Sequence, residues 1–269
     1  MRKAAQFNKL PKEMAWKTAP QVPKPNTTIW RYMSRWVFRA FVTERRLMFH
    51  QFKELQKIDA REGMVVPGFW ESVIEHERQR DPNADITELR TRGERSLDRI
   101  RCFEYTNCWN MAKNESTLMW KAYAPQGIAI RTTIGKFKNA PQENGNDRLS
   151  IRLQKIVYAD HWRELERRGY RHNGIPLNVL FLHTKRKSFS SEKEVRFRIS
   201  PAFSFPYIRQ PNGSFLQDAS ACPAWFPVVF ENLDWIDEVV AESSIPLRAA
   251  SGIRRLVSQH NLKFRISDL

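Results

Sequence analysis

The stretch Lys185–Arg198, KRKSFSSEKEVRFR, sets the frame for the rest of the chain. Read as a strand, its even positions Glu192, Glu194, Arg196 and Arg198 share one face. Val195, Phe197 and Ile199 share the other, the alternation of a half-buried strand. Two carboxylates two residues apart on a strand lie about 7 Å apart and point the same way. One acid can then meet a substrate hydroxyl while its neighbour acts on a second reactant. The same residues also describe an exposed edge strand whose Glu and Arg side chains neutralise one another.

The 269 residues suffice for one large domain or two small ones, and 41% hydrophobic with 12% aromatic residues marks a globular chain. Lys and Arg outnumber Asp and Glu 45 to 29, a formal charge of +16. Such an excess favours polyanionic partners: nucleic acid, an acidic protein or a membrane surface. The three cysteines, Cys102, Cys108 and Cys222, are odd in number and lack zinc-ligand spacing. A disulfide framework is not expected, and a reducing cytoplasm is the natural compartment. No signal peptide and no membrane-length apolar run is apparent.

Around the central stretch, residues 1–28 read as a flexible basic arm, with six basic residues, one acid and four prolines. Residues 29–269 read as one α+β catalytic-type domain with a helical insertion at about 68–100. Strands are expected at Ile29–Met33, Arg46–Phe52, Gly127–Thr133, Leu149–Ala159 and Trp235–Ala241. Ser34 is placed to cap a helix whose apolar side carries Trp36, Val37, Ala40 and Phe41. Charged helices are expected near Phe69–Arg80 and Ile86–Ile100, and others over Glu115–Ala124, Leu177–Lys187 and from Pro246. Pro141–Arg148 reads as a loop. The order is neither a repeat nor a strand–helix alternation. The expected fold is α+β, with mostly antiparallel strands in one or two central sheets and peripheral helices.

Several chemistries are absent from the sequence. There is no phosphate-binding loop and no Gly-x-Gly-x-x-Gly turn. The six histidines are scattered, and Ser190 and Ser191 lack the glycine context of a hydrolase nucleophile. Glu192-Lys193-Glu194 only loosely approximates a metal-nuclease acid cluster, because the lysine points away from both acids on a strand.

Six pieces in order carry a family resemblance: NCWNM at Asn107–Met111, ES-x-x-MWK-x-Y at Glu115–Tyr123, GIAI-x-T from Gly127, IVY at Ile156–Tyr158, KRKSF at Lys185–Phe189 and EKE-x-R at Glu192–Arg196. With IWRYMS near the start, they resemble the bacterial domain-of-unknown-function 2971 family over about residues 29–265. The family often has an Asn-Asp-Pro-like turn after its second strand, where this chain has QKIDARE at Gln56–Glu62. Its layout is similar to that of ADP-ribosyltransferases, in which an early strand holds NAD, a middle strand surrounds the nicotinamide and a late strand carries Glu-x-Glu. The resemblance implies Arg31 and Tyr32 for the first element and, loosely, Asn107, Cys108 and Trp109 for the second. Glu192 and Glu194 match the third.

On that resemblance Glu194 is the expected catalytic carboxylate, stabilising positive charge that develops on the ribose as nicotinamide leaves. Glu192 orients or deprotonates the acceptor. Trp109, Trp120 and Tyr123 form a stacking wall, and Arg31 grips the pyrophosphate. Lys185, Arg186 and Lys187 are either a solvated helix end or a contact to nucleic-acid phosphates. The expected function is transfer of ADP-ribose from NAD, used as a substrate and without a metal, to a macromolecular acceptor, RNA or DNA. A toxin or anti-phage effector, with a possible neutralising protein partner, would suit the family resemblance. Two other readings stay open. One is a non-enzymatic basic protein that stacks nucleic-acid bases on its aromatics. The other is a metal-dependent nuclease with Glu192 and Glu194 as ligands.

Overall fold

A computed structural model describes residues 22–142, 151–170, 181–201, 205–209 and 215–269. Most of the basic arm, most of the Pro141–Arg148 loop and the start of the helix expected at Leu177 lie outside these residues.

Within them the fold is α+β, with a mostly antiparallel central sheet and peripheral helices. The first half contains β1 (Thr28–Met33), α1 (Arg35–Glu44), β2 (Arg46–Gln51), α2 (Phe52–Leu55), α3 (Phe69–Arg80), α4 (Ile86–Phe103) and β3 (Tyr105–Asn110). Next come α5 (Thr117–Tyr123), β4 (Ile128–Thr133), α6 (Ile134–Lys138), β5 (Arg152–Lys155), β6 (Val157–Tyr158) and α7 (Trp162–Arg167). After them come β7 (Thr184–Lys185), a 3-10 turn (Lys187–Glu192), β8 (Glu194–Ile199), β9 (Tyr207–Arg209), β10 (Phe215–Gln217) and β11 (Trp225–Val229). The chain closes with β12 (Glu238–Ala241), α8 (Leu247–Ser258) and β13 (Phe264–Ile266).

The sheet runs β11-β2-β3-β1-β4-β12-β13, with β8 on the other edge of β3 and β5 beyond it. Only β12 and β13 pair in parallel within this sheet. Its defining feature is a fork. One edge of β3 serves two strands: β2 at Tyr105 and Thr106, and β1 at Asn110. Between those pairings β1 and β2 diverge, and a hollow opens beside Cys108.

The main core fills one side of the sheet. Ile29, Ile130, Val195, Phe197 and Val239 meet Phe38 and Phe41 from α1 and Ile253 and Val257 from α8. A smaller cluster on the opposite face joins Trp30, Tyr32 and Ala129 to Met119 and Trp120 of α5. A third cluster seats α3, α4 and α7 together through Phe69, Trp70, Leu97, Trp162 and Leu165. Gly93 permits the close approach of α4 to α3, since a Cβ there would stand 2.2 Å from the Trp70 ring.

Several local expectations are corrected. Ser34 does cap α1, its side chain accepting from the Val37 amide. The helix, however, buries Phe38, Phe41 and Val42, while Trp36 is 74% and Val37 52% exposed. The core-facing arc thus begins at Phe38, about 100° per residue onward from the expected one. Lys185 is not at a helix end, because β7 pairs in parallel with β6, setting Lys185 opposite Tyr158. Glu192 is not in the strand: it ends the 3-10 turn, and Lys193 at φ 42° turns the chain into β8. Finally, β8 is no edge strand. It lies between β3 and β5, and all six of its residues are buried.

No helix among the described residues is long and apolar enough to cross a membrane.

Candidate active site

The hollow at the fork is a cavity of about 410 Å³. Its floor is the sheet face opposite the main core. β3 contributes Thr106, Cys108 and Asn110, alternate residues that point the same way. β8, in register beside it, pairs Glu194 with Asn110 and Arg196 with Cys108, so its charged face continues that floor. The intervening Val195 and Phe197 pack into the core. Period-two alternation therefore sends the acids and Arg196 to the cavity and the apolar residues away from it.

The charged side chains form one chain of contacts. Arg196, 1% exposed, donates through Nε to Glu194 Oε1 at 2.5 Å, and its Nη1 lies 2.6 Å from Glu62 Oε1. A further bond from Nη1 reaches the Leu182 carbonyl at 3.0 Å. Lys185 Nζ bridges both acids, at 3.0 Å from Glu194 Oε2 and 2.6 Å from Glu192 Oε2. Tyr123 Oη donates to Glu192 Oε1 at 2.5 Å. The Glu194 amide donates to Tyr158 Oη at 2.8 Å, and Asn110 Nδ2 donates to the Glu192 carbonyl at 2.5 Å. The left-handed turn at Lys193 is what lets Glu192 reach the cavity although it precedes the strand.

Arg31 enters from β1 through the fork. Its Nη1 donates to the Cys108 carbonyl at 2.5 Å, and its Nε, buried, has no partner. Asn110 Oδ1 is likewise buried without a partner. A buried polar atom left unpaired costs about 1–3 kcal/mol, so Arg31 Nε and Asn110 Oδ1 mark places a ligand can satisfy.

The electrostatics follow from these contacts. Burial alone would raise the Glu194 carboxyl, but Arg196 and Lys185 outweigh it and hold it at about 2. Burial would lower the Lys185 ammonium, yet Glu194 and Glu192 carry it above its ordinary value. Burial pushes the Cys108 thiol up to about 12, with Glu194 adding to the effect, so the sulfur is a neutral thiol and no thiolate nucleophile. Burial also raises the Tyr123 and Tyr158 phenols, with the glutamates adding to the rise. Burial, then Arg31, lowers His50 at the cavity wall.

Of the expected site residues, Arg31, Tyr32, Cys108, Tyr123, Lys185, Glu192 and Glu194 all line this cavity. Trp109 does so only from the edge. It alternates with Cys108 and Asn110, and its indole packs in the core against Phe137, Phe197 and Trp235 in tilted and edge-on contacts. Asn107 shares that face and donates to the Met48 carbonyl. Trp120 supports the wall rather than forming it: its ring meets Tyr32 edge-on at 4.9 Å, and its Nε1 donates to Glu115. Arg186 does not line the cavity but pairs at 3.4 Å with Asp59, and Lys187 pairs with Glu164 at 2.8 Å.

Sequence reasoning did not single out Asp59 and Glu62 as site residues, though both line the cavity. They lie in the segment QKIDARE, Gln56–Glu62. A signal was present: Arg196, on a buried strand face, calls for a counter-charge, and the acids of a nearby polar segment are candidates. Tyr158 and Asn110 sat inside quoted motifs but had no assigned role.

Comparison of the chain with family models, with curated proteins and with solved structures finds no match in any of the three.

Proposed function

We propose that this cavity binds NAD and that the protein transfers ADP-ribose to a macromolecular acceptor, with nucleic acid the acceptor its charge favours. The observation that carries the reading is the meeting of Glu192, Glu194, Tyr123 and Arg31 at one fork in an antiparallel sheet. The cavity has the size of a small-molecule site.

The residues fit the substrate. The free Arg31 Nε is a donor for a pyrophosphate oxygen, and the free Asn110 Oδ1 is an acceptor for a carboxamide N–H. Glu194, ionised throughout the physiological range, is a fixed negative charge suited to a sugar gaining positive character. Arg196, Lys185 and the Cys108 thiol take three of its four lone-pair sites, which leaves one for a ribose hydroxyl. In the reaction the bond from ribose C1′ to the nicotinamide nitrogen breaks and its electron pair leaves with nicotinamide. A new bond forms from C1′ to the acceptor's nucleophilic atom, whose proton passes to Glu192. Tyr123 and Lys185 keep that carboxylate aimed into the cavity.

The donor set argues against the metal nuclease. All four carboxylate oxygens of Glu192 and Glu194 already accept from Tyr123, Lys185 or Arg196. No group of three His, Cys, Asp or Glu among the described residues has the geometry to hold a metal.

The test is incubation with NAD labelled in its adenylate half and mixed nucleic acid, with and without chelator. Nicotinamide release and label transfer, both indifferent to chelator and both lost in Glu192→Gln, are expected. Intact NAD together with chelator-sensitive strand cleavage would overturn the reading in favour of the nuclease. Glu194→Gln is a poorer probe, because it strips the counter-charge from two buried cations and destabilises the fold.

A further inference from the structure

We infer that a second cavity, of about 670 Å³ between α4 and α2, is a binding groove for the phosphodiester backbone of nucleic acid. Its lining carries Lys53, Arg92, Arg95, Arg99 and Arg101 against a single carboxylate, Asp98. The inference does not depend on the NAD reading, since it concerns binding alone.

The basic residues fall into two sets. Arg99 and Arg101 are structural. Arg99 donates to the Gln217 carbonyl and lies over the Phe103 ring, and Arg101 donates to the Gly63 carbonyl and to Asp98. Asp98 is thereby already occupied. Arg92, Arg95 and Lys53 are exposed, and their side chains have no ion pair or hydrogen bond among the described residues. On α4 the positions 92, 95 and 99 are spaced three and four apart, so they form one stripe rising about 4.5 and 6 Å per step. Gly93 and Leu97 take the other side of the helix against Trp70 and the third cluster, which fixes the stripe outward.

This is the opposite of Lys185-Arg186-Lys187, where each cation has its own carboxylate in Glu192 and Glu194, Asp59 and Glu164. A polyanion gains little from cations already neutralised and most from cations held close together without partners. The groove offers guanidinium forks, which match phosphate oxygens. Among the described residues its apolar lining is Cys102 and Ala219 alone, which supply neither the anchor pocket that peptide recognition needs nor a ring on which a base could stack. Binding there is therefore to the backbone and indifferent to base sequence. The short helix α2 divides this groove from the fork cavity: Leu55 lines the cavity, Lys53 and Gln56 the groove.

The experiment is fluorescence anisotropy of a labelled 20-nucleotide single-stranded RNA against the full chain at several salt concentrations, without NAD. Arg92→Glu/Arg95→Glu should weaken binding at least tenfold at low salt and cut the salt slope by about 1.4, the contribution of two phosphate contacts on a single strand. Lys187→Ala, whose charge is already paired with Glu164, should leave both nearly unchanged, and thermal unfolding should show the double variant folded. Equal affinity in wild type and double variant would overturn the inference, as would tighter binding of polyglutamate than of RNA at matched charge.

Discussion

Two clusters of arginine and lysine, separated by one short helix, behave in opposite ways. In the fork cavity, Arg196 and Lys185 touch Glu62, Glu192 and Glu194, and the whole set is nearly excluded from solvent. On α4, Arg92 and Arg95 stand exposed and make no ion pair among the described residues. Burial explains the difference. A charge removed from water must be paired or it destabilises the fold, whereas an exposed charge is solvated and is free to meet an external ion. The first cluster thus fixes the geometry of the fork cavity, and the second leaves its charge open to an external anion.

That contrast can be broken by substitution. The largest effect is expected at Arg196. Replacing it with Met leaves Glu62 and Glu194 buried without their shared cation and should cost about 3–5 kcal/mol in urea unfolding. Next is acid. The Glu194 carboxyl sits at about 2 in the folded chain against an ordinary 4.5. A depressed carboxylate stabilises the fold above its unfolded value and loses that contribution as pH falls. About 3 kcal/mol should therefore disappear between roughly pH 4.5 and 2, and Glu194→Gln should flatten that limb of a pH–stability curve. Tyr123→Phe removes one donor to Glu192 at a half-exposed position and should cost about 1 kcal/mol. On the proposed reaction it should also slow nicotinamide release by a few-fold, read as a lower kcat. The smallest change is expected in the groove: Arg92→Ala and Arg95→Ala should stay within about 0.5 kcal/mol of wild-type stability. A large stability loss at Arg92, or none at Arg196, would erase the distinction.

The strands were largely legible because their apolar residues repeat at period two. β1, β2, β4 and β8 lie where the alternation of Ile29–Met33, Arg46–Phe52, Gly127–Thr133 and Val195–Ile199 puts them. Caps were equally local, as Ser34 at α1 and Pro246 at α8 show. The face of α1 was misjudged because Trp36 and Val37 are apolar enough to be core, and only the docking of α1 against β2 and α8 chooses Phe38 instead. Lys185 was placed on a helix because a two-residue strand such as β7 has no periodicity to read.

The sequence by itself determined the α+β class, the positive charge and the pairing of Glu194 with Arg196 on one strand face, because each depends on composition or on near neighbours. Tertiary structure alone decided that β1 and β2 share one edge of β3, and so that Arg31 arrives beside Cys108 across 77 positions. It also decided which cations are spent on carboxylates and which are left free. Those outcomes depend on contacts between distant segments, and the energy of a charge is set by what surrounds it in space.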